Sequence, residues 1–379
     1  MVSKKVLLFS RDPGGANVVI PLVEPLTLKG YQVKLFGKDV ALGRYDKAGL
    51  SAFNILDFVQ YIKPEDIKEF LKNENPDFII TGTSADDFTE KYLWKSAENL
   101  GIPSFAIIDQ WINYGIRFSR YSISQSEEYN RDKTHPYLPA KILVMNEIAR
   151  QEAVKDGLEY SRIEVTGSPH LEWLLRSRAG KSVDMRNKFA ENADDFIISF
   201  ASEPISQLYS EPASSDHYWG YTEQTIFQTL LNALDAIAAS YSENIIVVIK
   251  MHPKEKEDNY QNILDQSNHV NIKIFIEKDI DPYDLMLTSD LICGMSSMFL
   301  IEAAVLGKPI LSIQIGLKRE NPFILDRIGV LQSILDEKNL KNSLKDLIID
   351  KHIPAIGFDV IMNSSDRIIN LMEKYLCPG

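Results

Sequence analysis

The chain has 379 residues, 45% hydrophobic and 25% charged, with a formal net charge of −12. That length suits two domains and the balance is that of a globular protein, while the acidity argues against broad electrostatic binding to nucleic acid or to an anionic membrane surface. Two cysteines, Cys293 and Cys377, make no disulfide framework, and no apolar run approaches the ~20 residues that span a bilayer. The expectation is a cytoplasmic protein, with peripheral contact at the inner face of a membrane left open.

Residues 6–9, Val-Leu-Leu-Phe, predict a first strand with the continuous apolar character of a strand covered on both faces. Arg11-Asp12-Pro13-Gly14-Gly15 follow as a glycine loop, a helix over 17–29 stops at Gly30, and 33–36 forms a second strand. The loop is not GxGxxG, and no acidic residue follows the second strand, so a nicotinamide cofactor is not expected. Alternation continues with helix 64–72, strand 77–81, a small polar loop at 82–85, helix 90–100 and strand 103–108. An aromatic and polar loop runs from Gln110 to Phe118, and 121–135 is a polar excursion. Strand 142–144, helix 147–156 and strand 163–166 lead to Gly167-Ser168-Pro169-His170, which close a first domain.

A weakly patterned charged linker precedes a second series of strands at 196–200, 245–250, 272–276, 291–293 and 310–313. Helices are expected at 222–240, 282–289, 298–306 and 340–349, with a last one over 366–375. The long loop 201–221 holds Glu203, Glu211, His217, Tyr218 and Trp219, and loops of that length are commonly functional. The division is a first domain over 1–170, a linker over 171–193, a second domain over 194–355 and a helical tail over 356–379. The fold class is α/β: two Rossmann-like parallel-sheet domains facing across a cleft, with active groups on the loops after strands.

Several segments carry a family resemblance: the glycine loop, Gly167-Ser168-Pro169, Met251-His252-Pro253, and Ser296-Ser297 followed by Glu302-Ala303 and Gly307-Lys308-Pro309. Together they resemble the GT-B glycosyltransferase superfamily. His252-Pro253 and Ser296-Ser297 are similar to motifs of bacterial polysialyl- and capsule-type sugar transferases and of CDP-glycerol glycerophosphotransferases. The segment from Asp284 to Pro309 and Gly167-Ser168-Pro169 also resemble UDP-N-acetylglucosamine 2-epimerases. Those epimerases carry a glutamate in a Glu-Ala-Gly-Leu-Arg run where this chain has Asn113-Tyr114-Gly115-Ile116-Arg117. Asparagine cannot exchange a proton as an acid or base, which favours transfer over epimerisation.

The donor nucleotide is expected on the second domain. Ser296 and Ser297 offer hydroxyls and amides to a phosphate at a helix N-terminus. His252, flanked by Lys250 and Lys254, would stabilise the leaving phosphate as a hydrogen-bond donor or an imidazolium. The resemblance implies that Glu302 holds ribose hydroxyls. On the acceptor side, Asp109 or Asp12 would accept the hydroxyl proton. Gly14 and Gly15 would permit close approach of a ligand, Trp111 and Arg117 would hold a sugar or acidic group, and Asn113 and Glu203 complete that side. Asp279-Ile280-Asp281 is expected to cap a helix rather than bind metal. No His/Cys cluster suggests zinc, so neither metal nor cofactor is expected beyond the nucleotide-sugar donor itself.

The combined expectation is a metal-independent transferase that moves a sugar from a nucleotide-activated donor to a hydroxyl of a glycan or lipid-linked acceptor in bacterial surface-polysaccharide synthesis. A nucleotide-sugar 2-epimerase is the second reading, and a non-catalytic nucleotide-sugar-binding assembly protein is the third.

Overall fold

The computed structural model describes residues 3–178, 185–209, 218–266, 271–352 and 358–375. Cys377, Glu211 and His217 lie outside these residues. The chain divides into two compact units, residues 1–173 with 360–379, and residues 174–359. Each is a parallel-sheet α/β unit.

The first unit runs β1 Lys5–Ser10, α1 Pro13–Leu28, β2 Gln32–Gly37, α2 Val40–Lys47, β3 Phe53–Asn54, α3 Pro64–Glu74, β4 Phe78–Thr81 and α4 Thr89–Leu100. It continues with β5 Ser104–Ile107, α5 Ser126–Asp132, β6 Lys141–Val144, α6 Glu147–Lys155 and β7 Ile163–Val165, and the unit boundary after Trp173 falls within α7 Pro169–Arg178. Its seven strands lie in the order β3-β2-β1-β4-β5-β6-β7, all parallel. Alternate β1 side chains explain why both faces are apolar. Val6 and Leu8 join the cluster under α1, while Leu7 and Phe9 join the one under α3 and α4.

Among the segments that differ from the sequence expectation, two lie near the start of the chain. The glycine pair is not a loop: Pro13 opens α1, its missing N–H costing nothing in a first turn, and Gly14-Gly15 are already helical. The polar stretch 40–47 forms α2, which buries only Ala41 and Tyr45 and so leaves little periodic signal.

The second unit contains α8 Arg186–Phe189, β8 Phe196–Ala201, α9 Ile205–Tyr209, α10 Glu223–Ala238, β9 Ile245–Lys250, α11 Gln261–Gln266, β10 Ile272–Glu277 and α12 Pro282–Thr288. It ends with β11 Leu291–Gly294, α13 Met298–Val305, β12 Ile310–Ser312, α14 Ile324–Arg327 and α15 Glu337–Ile348. Its five parallel strands are ordered β10-β9-β8-β11-β12. Asp281 caps α12 by accepting from the N–H groups of Tyr283 and Asp284 at 2.9 and 3.0 Å.

The last helix, α16 Ser364–Lys374, belongs to the first unit. Ile368, Ile369 and Met372 enter the cluster under α1, and Glu172 accepts from the amides of Asn363 and Ser364 at 2.9 and 2.6 Å. A carboxylate at a helix N-terminus is favourable both as a cap and against the dipole.

Candidate functional site

In an open parallel sheet, ligands bind beyond the carboxyl ends of the strands where the strand order reverses. The orders place one such point between β1 and β4 and another between β8 and β11. Gly14, Gly15, Asp109 and Arg117 gather at the first, and Glu203, His252, Ser296 and Ser297 at the second.

At the first point the backbones are in close contact. A Cβ added to Gly82, just after β4, would lie 2.5 Å from the Gly15 Cα, and one added to Gly14 would lie 1.7 Å from Asp109 Oδ2. Glycine is therefore required for the Asp109 carboxyl, which follows β5, to lie against the first turn of α1. Arg117 locks this carboxyl from the other side. Its Nη1 donates to Asp109 Oδ1 at 3.1 Å and to Thr83 Oγ1 and O at 2.8 and 3.0 Å, and its Nε donates to the Asn113 carbonyl at 3.1 Å. Burial raises the Asp109 pKa, with the Arg117 charge opposing the shift.

A further set of charges is linked to Asp12, which itself acts on this carboxyl. Arg11 donates to Asp39 at 2.8 Å and to Asp12 at 3.1 Å, and Lys38 donates to Asp87 at 2.7 Å. Glu90, in the first turn of α4, is 1% exposed, and its Oε2 has no hydrogen-bond partner among the described residues. Burial, then the charges of Asp12 and Asp87, push its pKa up to about 8, which keeps it a neutral acid at neutral pH. The sequence signal for Glu90 was weak, because a glutamate in a first helical turn is ordinarily exposed.

Trp111 and Asn113 stand elsewhere. Trp111 is 4% exposed and its indole N–H donates to Asn146 Oδ1 at 3.1 Å, which anchors the loop. Asn113 adopts φ 57° and uses its backbone carbonyl to hold Arg117. An asparagine tolerates that left-handed conformation better than most residues.

At the second point, three strand ends are joined by side chains. Ser297 caps α13 by accepting from Phe299 N at 3.2 Å. Glu203, expected on the acceptor side, accepts from Ser296 N at 2.7 Å and Ser296 Oγ at 3.1 Å; burial raises its pKa to about 7, with these bonds and the Met295 and Ser297 amides opposing the shift. The preceding residue, Ser202, donates to Glu255 Oε1 at 2.6 Å, and Glu255 Oε2 accepts from His252 N at 2.7 Å. Glu255 is 2% exposed and was not singled out in the sequence, although its place three residues after His252 is the spacing of a side chain that closes a turn.

His252 Nδ1 accepts from Lys254 N at 3.2 Å. The neutral ring therefore carries its proton on Nε2. Burial, then Lys254 and Lys250, lower the pKa to about 4, so the imidazolium is disfavoured and the ring acts as a neutral donor. Lys250 Nζ donates to the carbonyls of Met251 and Lys278 at 3.1 and 2.9 Å, bracing the same turn. Glu302 is 7% exposed on the helix that Ser297 caps. Among the described residues no group of three or more His, Cys, Asp or Glu side chains can hold a metal ion, and no helix is long and apolar enough to cross a membrane.

No protein-family model and no curated protein matches this sequence. Solved structures do. UDP-GlcNAc 2-epimerase from Methanocaldococcus jannaschii aligns at 15% identity and a TM-score of 0.65, over 97% of this chain and 99% of that one. The Neisseria meningitidis UDP-GlcNAc 2-epimerase bound to UDP-GlcNAc gives 16%, 0.62, 98% and 100%. MurG from Acinetobacter baumannii gives 10%, 0.51, 98% and 99%. At such identities the likeness establishes the fold alone, which is of the GT-B type. The parallel-sheet α/β fold class expected from the sequence is borne out.

Proposed function

We propose that the chain is a nucleotide-sugar 2-epimerase of the UDP-N-acetylglucosamine type. The observation that carries this reading is the buried Asp109 carboxyl against Gly14 at the β1/β4 switch point. Asn113 lacks a carboxyl, but Asp109 supplies one from the same loop, with the neutral acid Glu90 nearby across Asp12. The sequence-level objection to epimerisation loses its force once the acid–base groups are counted at the switch point rather than along the motif.

The C2 hydrogen of a nucleotide sugar is not acidic by itself, since C1 is an acetal carbon. Its removal must accompany departure of the nucleotide from C1. A carboxylate of the first unit takes the C2 proton, the C2–H electrons form the C1–C2 double bond, and the C1–O pair leaves with the phosphate. His252 Nε2–H stabilises the charge developing on that phosphate. Reprotonation of C2 on the opposite face, with return of nucleotide or water at C1, gives the epimer. Ser296, Ser297 and Glu302 serve the nucleotide, and neither metal nor cofactor is invoked.

The test is incubation with UDP-N-acetylglucosamine alone. The account expects UDP-N-acetylmannosamine or free N-acetylmannosamine plus UDP. The second reading, sugar transfer, is favoured by Asn113 at the motif position, and conversion that appears only when a hydroxyl acceptor is added would establish it instead.

A further inference from the structure

The loop that would receive a phosphate at the second switch point already holds a carboxyl group of the chain itself. Glu203 lies on the Ser296 amide and hydroxyl, and the Met295 and Ser297 amides are directed at the same carboxyl. The next N–H of α13 with a side-chain partner, that of Phe299, is taken by Ser297 Oγ. Carboxylate and phosphate oxygens make the same charge-assisted bonds to backbone amides, so they compete for one set of donors. Ser202, one residue earlier, is tied to Glu255 and through it to the His252 turn, so the segment carrying Glu203 is fixed at its base while its own carboxyl is held only by the 295–297 loop in the bonds described.

We propose that Glu203 is a resident carboxyl group that a nucleotide's terminal phosphate must displace from residues 295–297, which makes Glu203 the residue that sets affinity and selectivity for phosphorylated ligands at this site. The inference rests on the reading of the second unit as the nucleotide side. It implies that the site discriminates against weakly held anions, because only a ligand with further contacts offsets the loss of the Glu203 bonds. A lone phosphate or pyrophosphate gains nothing elsewhere, whereas a nucleotide brings its base and ribose.

The experiment is titration calorimetry of the full chain with UDP, inorganic pyrophosphate and uridine, comparing wild type with Glu203→Gln and Glu203→Ala. Circular dichroism confirms that each variant is folded, and the glutamine variant retains the shape and an acceptor oxygen for Ser296. The expected result is UDP bound roughly tenfold more tightly by Glu203→Gln and more tightly still by Glu203→Ala, since about 1.4 kcal/mol is one decade of affinity and bonds to charged groups are of that size. Pyrophosphate should gain in parallel, and uridine should not change. Wild type binding UDP with both variants equal to it or weaker overturns the displacement role and leaves the nucleotide reading standing. Absence of binding of UDP and pyrophosphate by all three proteins overturns the nucleotide reading and this inference with it.

Discussion

The two switch points use opposite means to prepare for a ligand. The first is made of side-chain charge: Asp12, Asp39, Asp87, Glu90 and Asp109 set against Arg11, Lys38 and Arg117, with Gly14, Gly15 and Gly82 letting the backbones close around them. The second is made of backbone donors at the start of α13 and a neutral histidine, with the Glu203 carboxyl folded back onto those donors. A crowded carboxylate cluster shifts proton affinities and suits proton transfer. A row of amides offers fixed partial positive charge and suits phosphate. On the proposed reading, proton transfer belongs to the first unit and nucleotide recognition to the second, and the contrast between the two switch points can be broken experimentally.

The largest contrast is steric. Gly14→Ala places a methyl 1.7 Å from Asp109 Oδ2, whereas Gly294→Ala at the second point meets Ala201 at 3.1 Å. Overpacking of the first kind should cost about 3 kcal/mol of stability and remove activity, and the second about 1 kcal/mol. Denaturant melts of the two variants check this, and equal losses would show that the first switch point has slack.

Next comes the division of kinetic roles. His252→Ala should lower kcat/KM by about 2–4 kcal/mol in transition-state terms and weaken nucleotide binding. Asp109→Asn should lower kcat comparably while leaving UDP affinity unchanged. If Asp109→Asn instead weakens UDP binding and spares turnover, the assignment of the two units is reversed.

A smaller effect is pH-dependent. Glu90 has its pKa raised from the ordinary 4.5 to about 8, so between those values the folded state holds a proton that the unfolded chain has released. Stability then falls as pH rises through this window. Besides Asp12, Asp87 and Arg11, the charged or titratable neighbours acting with Glu90 are Tyr45 and Lys91. Glu90→Gln should remove the slope, with a clear gain in stability at pH 8.5 and almost none at pH 4.5. Parallel urea titrations at the two pH values would expose an unchanged slope, which would mean that Glu90 is not the proton holder.

The smallest expected change is Trp111→Phe. It deletes the bond to Asn146 and should cost about 1 kcal/mol of stability with kcat/KM intact. A collapse in kcat/KM without loss of stability would put the indole on the sugar.

Much of the architecture was legible because parallel strands buried on both faces read as unbroken apolar runs, as at 6–9 and 245–249. What was not legible depends on tertiary contact. Glu203 and Ser296 are 93 residues apart, and Glu172 and Ser364 are 192 apart, so neither pairing leaves a local pattern. Gly14-Gly15 looked like a loop because glycine disfavours a helix, yet Pro13 at N1 and the need to admit Asp109 outweigh that cost. Asn113 took its apparent importance from a motif position, while the carboxyl at the switch point is four residues earlier.

The most direct test is proton NMR of UDP-N-acetylglucosamine incubated with the protein in D2O without any acceptor. The account predicts N-acetylmannosamine-configured product carrying deuterium at C2, because the C2 hydrogen leaves to a carboxyl that exchanges with solvent. Unaltered UDP-N-acetylglucosamine, with conversion only after a hydroxyl acceptor is supplied and the C2 hydrogen retained, would contradict it.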